Sequence, residues 1–192
     1  MSLKEKSYSV LVVSASQNFI TNMHDLLSSS KYETVKYTAS ISSAKRANIE
    51  KAYDIVLIDT PLPDGTGDEL AIDLSTDESS IVMMLVHYDL YDEIHENYSK
   101  YGIFVAPKPI SNELLTYSLN WLESARERTR GYEKKTLSIE DKMQEIRLVN
   151  QAKLLLITDK GMNEDEAHKY ISKQAMDKCV SKGVIAKEIL NK

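Results

Sequence analysis

The residues suited to chemistry fall into two sets. One is a carboxylate and an amine at the ends of two apolar runs: Asp59 closes Ile55-Val56-Leu57-Ile58, and Lys108 follows Ile103-Phe104-Val105-Ala106-Pro107. Brought together, they would form an ion contact. The other set is basic, comprising Arg147, Lys153, Lys160, Lys169, Lys173 and Lys178 with one aromatic residue among them, Tyr170. Cations hold phosphates, and an aromatic ring offers a base a face to stack on. Tyr170 either stacks in this way or packs against a neighbouring helix. The histidines His24, His87, His95 and His168 show no metal-ligand spacing. The single cysteine, Cys179, cannot form an internal disulfide. It continues a helical apolar stripe, so a buried, inert thiol is expected. His168 borders the same stripe and is expected to be packed. No nucleophile–base constellation occurs, so neither an enzyme nor a cofactor is implied.

Charge is unevenly spread. Residues 147–192 carry nine Lys or Arg against six Asp or Glu, and the remainder fifteen against twenty-three, for a net of −5 over the chain. A basic tail on an acidic body suits a nucleic-acid partner, although a solvated lysine-rich face gives the same count. No apolar stretch approaches the ~20 residues of a membrane span. No secretory signal precedes the first strand, so a cytoplasmic location and no membrane partner are expected.

The elements that must position these groups follow from apolar patterning. Tyr8–Val13, 34–38, 54–59, 81–86 and 103–105 read as strands, with helices over 19–27 and 42–51, and tyrosines Tyr88, Tyr91, Tyr98 and Tyr101 flanking the fourth helix. Strands alternating with helices imply an α/β fold with a parallel sheet and right-handed crossovers. Functional groups then gather at the carboxyl ends of the strands. Here those ends carry Ser14-Ala15, Asp59, Val86-His87 and Lys108-Pro109.

That arrangement resembles the receiver domain of two-component response regulators over about residues 7–125. Asp59 with Pro63 and Gly67 matches the phosphoacceptor strand and loop, and Lys108-Pro109 the end of strand five. The resemblance implies a flavodoxin-like five-stranded parallel sheet, with Asp59 and Lys108 at the phosphoacceptor position. The chain departs from the pattern where metal binding is at stake. Receivers place two acids after strand one to hold magnesium with the phosphoacceptor, whereas Ser14 and Ala15 stand here. Val86 replaces the hydroxyl-bearing switch residue, and Val105 the strand-five aromatic. Phe104 lies one residue earlier, but strand alternation points it to the opposite face. Magnesium needs anionic oxygen ligands to offset an incoming phosphoryl charge. One carboxylate and a serine make a poor site, so a degenerate receiver is expected, regulated by contact with a protein or small ligand.

After Pro109, Ser111 reads as the N-cap of a helix from about Asn112. Leu122, Ala125, Thr129, Tyr132, Thr136, Ile139, Met143, Ile146 and Asn150 keep alternating three- and four-residue spacing. A seam of this kind pairs two chains as a coiled coil. The contacts would come from Leu122, Tyr132, Ile139, Met143 and Ile146, and a linker folded back on its own domain is the alternative. Gly131 and Ser138 are places where the helix could break.

In the tail, Leu148, Ala152, Leu155 and Leu156 form one stripe, and Gly161 is a natural helix stop. Asn163 with Glu166 is a capping-box-like start for a second helix. There Ala167, Ile171, Ala175 and Cys179 share a face. Gly183 is expected to separate it from a short helix with Val184, Ile185, Ile189 and Leu190. Three such helices must pack together, since none is stable alone. Ala152-Lys153, Lys160-Gly161-Met162, Asn163-Glu164, Ala167, Ala175-Met176 and Ala186 resemble the ANTAR domain of bacterial regulators. That resemblance implies a three-helix bundle that binds RNA stem-loops in nascent leader transcripts and prevents termination.

The chain is therefore expected to hold a receiver-like domain (1–125), a helical coiled-coil connector (126–146) and an ANTAR domain (147–192). It reads as a signal-responsive RNA-binding antiterminator, working as a homodimer with a sensor protein or histidine kinase as a possible partner. The competing readings are a protein-docking adaptor, a phosphorylatable response regulator and, less suited to three short helices, a DNA-binding regulator.

Overall fold

The computed structural model describes residues 6–76 and 79–191. The chain divides into two compact units, Met1–Gly131 and Tyr132–Lys192. The first holds strands β1 (Tyr8–Val13), β2 (Tyr32–Thr38), β3 (Ile55–Asp59), β4 (Ile81–His87) and β5 (Phe104–Lys108). Its helices are α1 (Gln17–Leu26), α2 (Ile41–Glu50), α3 (Asp68–Thr76), α4 (Tyr91–Tyr98) and the start of α5 (Asn112–Lys160). The strands pair in parallel in the order β2-β1-β3-β4-β5. This is the expected flavodoxin-like sheet.

A parallel sheet is buried on both faces, which is why its strands read as near-continuous apolar runs. Leu11, Val13, Val56, Ile58, Met84 and Val86 pack against Ala44, Ala47, Leu70 and Leu74 of α2 and α3. The alternate residues Val10, Val12, Ile55, Leu57, Met83 and Leu85 pack against Met23 of α1 and Leu115, Leu119 and Leu122 of α5. Leu122, expected in the pairing seam, is 1% exposed and serves its own domain's core. Tyr91 and Tyr98 also pack inward, whereas Tyr88 and Tyr101 are exposed. Strand β5 extends to Lys108, beyond the expected 103–105.

Helix starts follow local chemistry. Ser16 Oγ accepts from Phe19 N, and Ser40 and Ser43 form a reciprocal capping box on α2. Ser111 Oγ accepts from Leu114 N at 3.2 Å, as an N-cap of α5 should. Helix α5 then runs unbroken for 49 residues through Gly131 and Ser138.

In the second unit, α5 is joined by α6 (Glu164–Asp177) and α7 (Lys182–Leu190). Ala152 and Leu156, Ala167, Ile171 and Ala175, and Ile185 and Ala186 form its buried core. Burying Ile171, which is 0% exposed, stabilises the bundle by about 1.5–3 kcal/mol. Gly161 at φ +64° ends α5, and Asn163 with Glu166 forms the expected capping box on α6.

Two tail expectations are corrected. Cys179 is exposed at φ +55°, beyond the end of α6. Its N–H donates to Met176 O at 3.1 Å, and Val180 N to Ala175 O at 3.0 Å. This is a Schellman ending, so the apolar stripe stops at Ala175 and Cys179 occupies the left-handed position that usually takes glycine. Gly183, expected between helices, lies inside α7 and is buried.

Candidate functional site

Strands β1, β3 and β5 bring Ser14, Asp59 and Lys108 together at the carboxyl edge of the sheet. Ser14 Oγ donates to Asp59 Oδ2 at 2.6 Å, and Lys108 Nζ donates to Asp59 Oδ1 at 2.7 Å. Lys108 Nζ also donates to Thr60 O, and Ser16 N to Ser14 Oγ at 3.0 Å. Ser14 is fully buried and Asp59 is 6% exposed. Both carboxylate oxygens are thus engaged by donors, and Lys108 already supplies a counter-charge. Magnesium, which a receiver fold implies, needs several oxygen ligands with anionic character. Among the described residues no group of three or more His, Cys, Asp or Glu is placed to hold a metal ion. Ser14 offers the carboxylate a proton where a metal would need a second acid, so this donor set does not fit the ion.

The flanking positions also lack a receiver's switch. Val86 is fully buried in the core, and Thr60 Oγ1 is committed to Leu85 O at 3.1 Å. Phe104 faces a hollow with Leu114, Ser118 and Trp121, whereas Val105 packs on the other side of the sheet with the cluster that holds Val86. Phe104 therefore does not stand in for the missing aromatic.

Sequence reading missed the anchors around this site. Asp64, in the loop after β3, accepts from Ile41 N, Ser42 N and Ser42 Oγ at 2.8–3.0 Å, tying the loop to the start of α2. Those N–H groups of Ser42 and Ile41 hold its carboxyl below the usual carboxylate range. At the opposite edge, Asp54 accepts from Ser9 N and Oγ and from Arg126 Nε and Arg130 Nη2. Burial alone would raise the Asp54 carboxyl. The Ser9 N–H and the two guanidinium groups outweigh it and hold the value low. Glu123 of α5 takes the Tyr32 hydroxyl at 2.6 Å and Lys31 at 2.7 Å. Burial, then the charges of Glu127 and Glu123, pushes the Tyr8 hydroxyl up to about 12. Arg126 and Arg130 thus fasten this part of α5 to the first unit. Tyr132, Ile139, Met143 and Ile146 are 52–60% exposed.

Arg147, Lys160, Lys169 and Lys173 are exposed. Lys153 pairs with Glu164 at 3.0 Å and Lys178 with Glu188 at 2.6 Å. Tyr170 is half-buried against the bundle core, with the Lys160 ammonium 5.2 Å from its ring centre. His168, expected to be packed, is exposed, because at ~100° per residue it turns off the flank of the Ala167–Ile171 stripe.

Residues 138–190 match the family model of the ANTAR domain. The transcriptional regulatory protein PdtaR of Mycobacterium tuberculosis (strain H37Rv) is 23% identical over 137 residues, 71% of this chain and 67% of that protein. The signal receiver domain of an HD domain-containing protein from Pseudomonas fluorescens Pf-5 superposes with a TM-score of 0.59 at 17% identity, covering 68% of this chain and 96% of that one. The chemotaxis response regulator CheY4 of Vibrio cholerae gives 0.53 at 20% identity, over 61% and 99%. At such identities the solved structures speak for the fold. Among the described residues no helix is long and apolar enough to cross a membrane. The chain therefore joins a domain of the receiver fold to an ANTAR domain at residues 138–190.

Proposed function

We propose that this protein is a signal-responsive transcription antiterminator that binds RNA stem-loops in nascent leader transcripts. The ANTAR match over 138–190 carries the reading, and it agrees with the similarity to PdtaR, a transcriptional regulatory protein. Arg147, Lys153, Lys160, Lys169, Lys173 and Lys178 supply phosphate contacts, and Tyr170 a partial stacking face. The protein is cytoplasmic and works as a homodimer paired through Tyr132, Ile139, Met143 and Ile146. In functional terms, residues 1–125 receive the signal, 126–146 connect and 147–192 read RNA. The signal arrives by contact with a sensor protein or small ligand rather than by phosphoryl transfer from a histidine kinase. This is supported by Asp59, whose two oxygens are held by Ser14 and Lys108.

The test is titration of an RNA carrying two short stem-loops at several salt concentrations. Each phosphate neutralised by Lys or Arg contributes about −0.7 to −0.9 to the log–log slope. Three to five engaged cations give a slope of roughly −2 to −4. Lys173→Ala is expected to flatten it by just under one unit. Absence of binding at low salt removes this reading and leaves the tail as a protein-docking module.

A further inference from the structure

The second unit carries a groove that none of the expected RNA contacts except Lys153 touches. Lys142, Ile146, Val149 and Lys153 of α5, His168 of α6 and Lys182 of α7 surround a cavity of about 560 Å³. That is within the ~300–1,000 Å³ range of small-ligand pockets. Lys142 and Lys153 stand eleven positions apart, about 16 Å along the helix, so the groove is longer than one phosphate. Lys153 is tied to Glu164, but among the described residues neither Lys142 nor Lys182 has a carboxylate partner.

The acid on the groove wall, Glu145, bonds to backbone and offsets only part of this positive charge. Its Oε1 accepts from Gly183 N at 3.0 Å, at the start of α7, where the helix dipole favours a negative charge. A Cβ at residue 183 would come within 3.2 Å of Glu145 Cγ, which accounts for the buried glycine inside α7. Beside Glu145 the groove presents the ammonium groups of Lys142 and Lys182, the apolar Val149, the imidazole of His168 and the amide of Asn150.

Recognition of an unpaired RNA loop uses this combination: cations for phosphates, a flat or apolar face for a base and an amide for its edge. A free anion would leave Val149 and the Asn150 amide unused, and an apolar peptide would leave two lysines unmatched. We infer that the groove seats an unpaired nucleotide of the bound RNA loop. Lys142 and Lys182 lie on its flanking phosphates, and the base rests against His168 and Val149. This rests on the RNA-binding reading and adds the position at which one nucleotide is held.

The experiment uses the full chain and the two-stem-loop RNA, with Lys142→Ala, Lys182→Ala and His168→Ala, leaving Ile146 intact because it belongs to the pairing seam. Each lysine variant is expected to flatten the salt slope by about 0.7, and Lys142→Arg to restore it. His168→Ala should weaken binding roughly fivefold or more without changing the slope. Bound RNA should shield Lys142 and Lys182 from acetylation while Lys100 reacts as before. Wild-type affinity, slope and acetylation in the groove variants, with Lys173→Ala still flattening the slope, would overturn the groove and leave RNA binding standing. No binding by the wild-type chain would overturn both.

Discussion

Removing the Asp59 carboxylate is expected to destabilise the first unit. In a receiver with further acids beside it, the same change relieves like-charge repulsion, and stability rises. Here Asp59 faces a hydroxyl at 2.6 Å and an ammonium at 2.7 Å, so it is the counter-charge of Lys108. Breaking a fully buried pair by removing one partner costs about 3–5 kcal/mol. A lost hydrogen bond to a charged group costs about 1.5–3 kcal/mol. The Asp59 side chain is 8% exposed but that of Lys108 is 28% exposed, so water reaches the orphaned ammonium and the lower range applies. Asp59→Ala should therefore lose about 2 kcal/mol. Asp59→Asn, which keeps one carbonyl oxygen and lets the Ser14 hydroxyl reorient, should lose about half of that. Trp121, the chain's single tryptophan, lies in the first unit and reports its unfolding. In urea the midpoint should fall by roughly 1 M for Asp59→Ala. A rise would refute the counter-charge account. The same geometry implies that magnesium and a small phosphodonor leave the intact mass unchanged. Near-complete addition of one phosphate would contradict the degenerate site, and Ser14→Asp with Ala15→Asp should bring magnesium binding back.

The chain should be a dimer by light scattering at micromolar concentration, and Ile139→Lys with Ile146→Lys should shift it toward monomer; a monomeric wild type would make the exposed seam irrelevant to pairing. Asp54 is held below its ordinary carboxylate value, so its stabilisation is complete above about pH 4 and fades as pH falls through the folded value. Asp54→Asn should accordingly flatten the acid limb of the stability curve, and an unchanged limb would place acid sensitivity elsewhere. Cys179→Gly should stabilise the second unit by up to about 1 kcal/mol, because a left-handed residue with a Cβ is strained; a loss of stability would mean that the thiol contributes contacts of its own.

The sheet was legible because a parallel strand buried on both faces must be apolar throughout, and Val10–Val13 and Ile55–Ile58 satisfy nothing else. Helix α3 escaped because Leu70, Ala71 and Leu74 sit among Asp68, Glu69 and Asp73, and only three-dimensional packing marks them as core. The end of β5 escaped because Pro107, which cannot donate to a ladder, interrupts the apolar signal. In the tail, local chemistry carried far: Gly161 and the Asn163–Glu166 box each act within four residues.

The Asp59–Lys108 contact expected from the strand ends is present, but other contacts with distant partners escaped. Ser14 reaches Asp59 across 45 positions, and Glu145 reaches Gly183 across 38. No periodicity announces either contact, yet each decides what its neighbours do. Ser14 turns a strand-end carboxylate into a satisfied structural anion. Glu145 accepts from the backbone of Gly183 and anchors the first turn of α7. Leu122 shows the same limit from the other side: its heptad position suits a pairing seam, but Leu57, Met83 and Leu85 belong to the same buried cluster and bury it first. A spacing pattern says that a face is apolar. Which surface covers it depends on which is held nearby, and the Asp54–Arg126–Arg130 anchor holds this part of α5 against its own sheet.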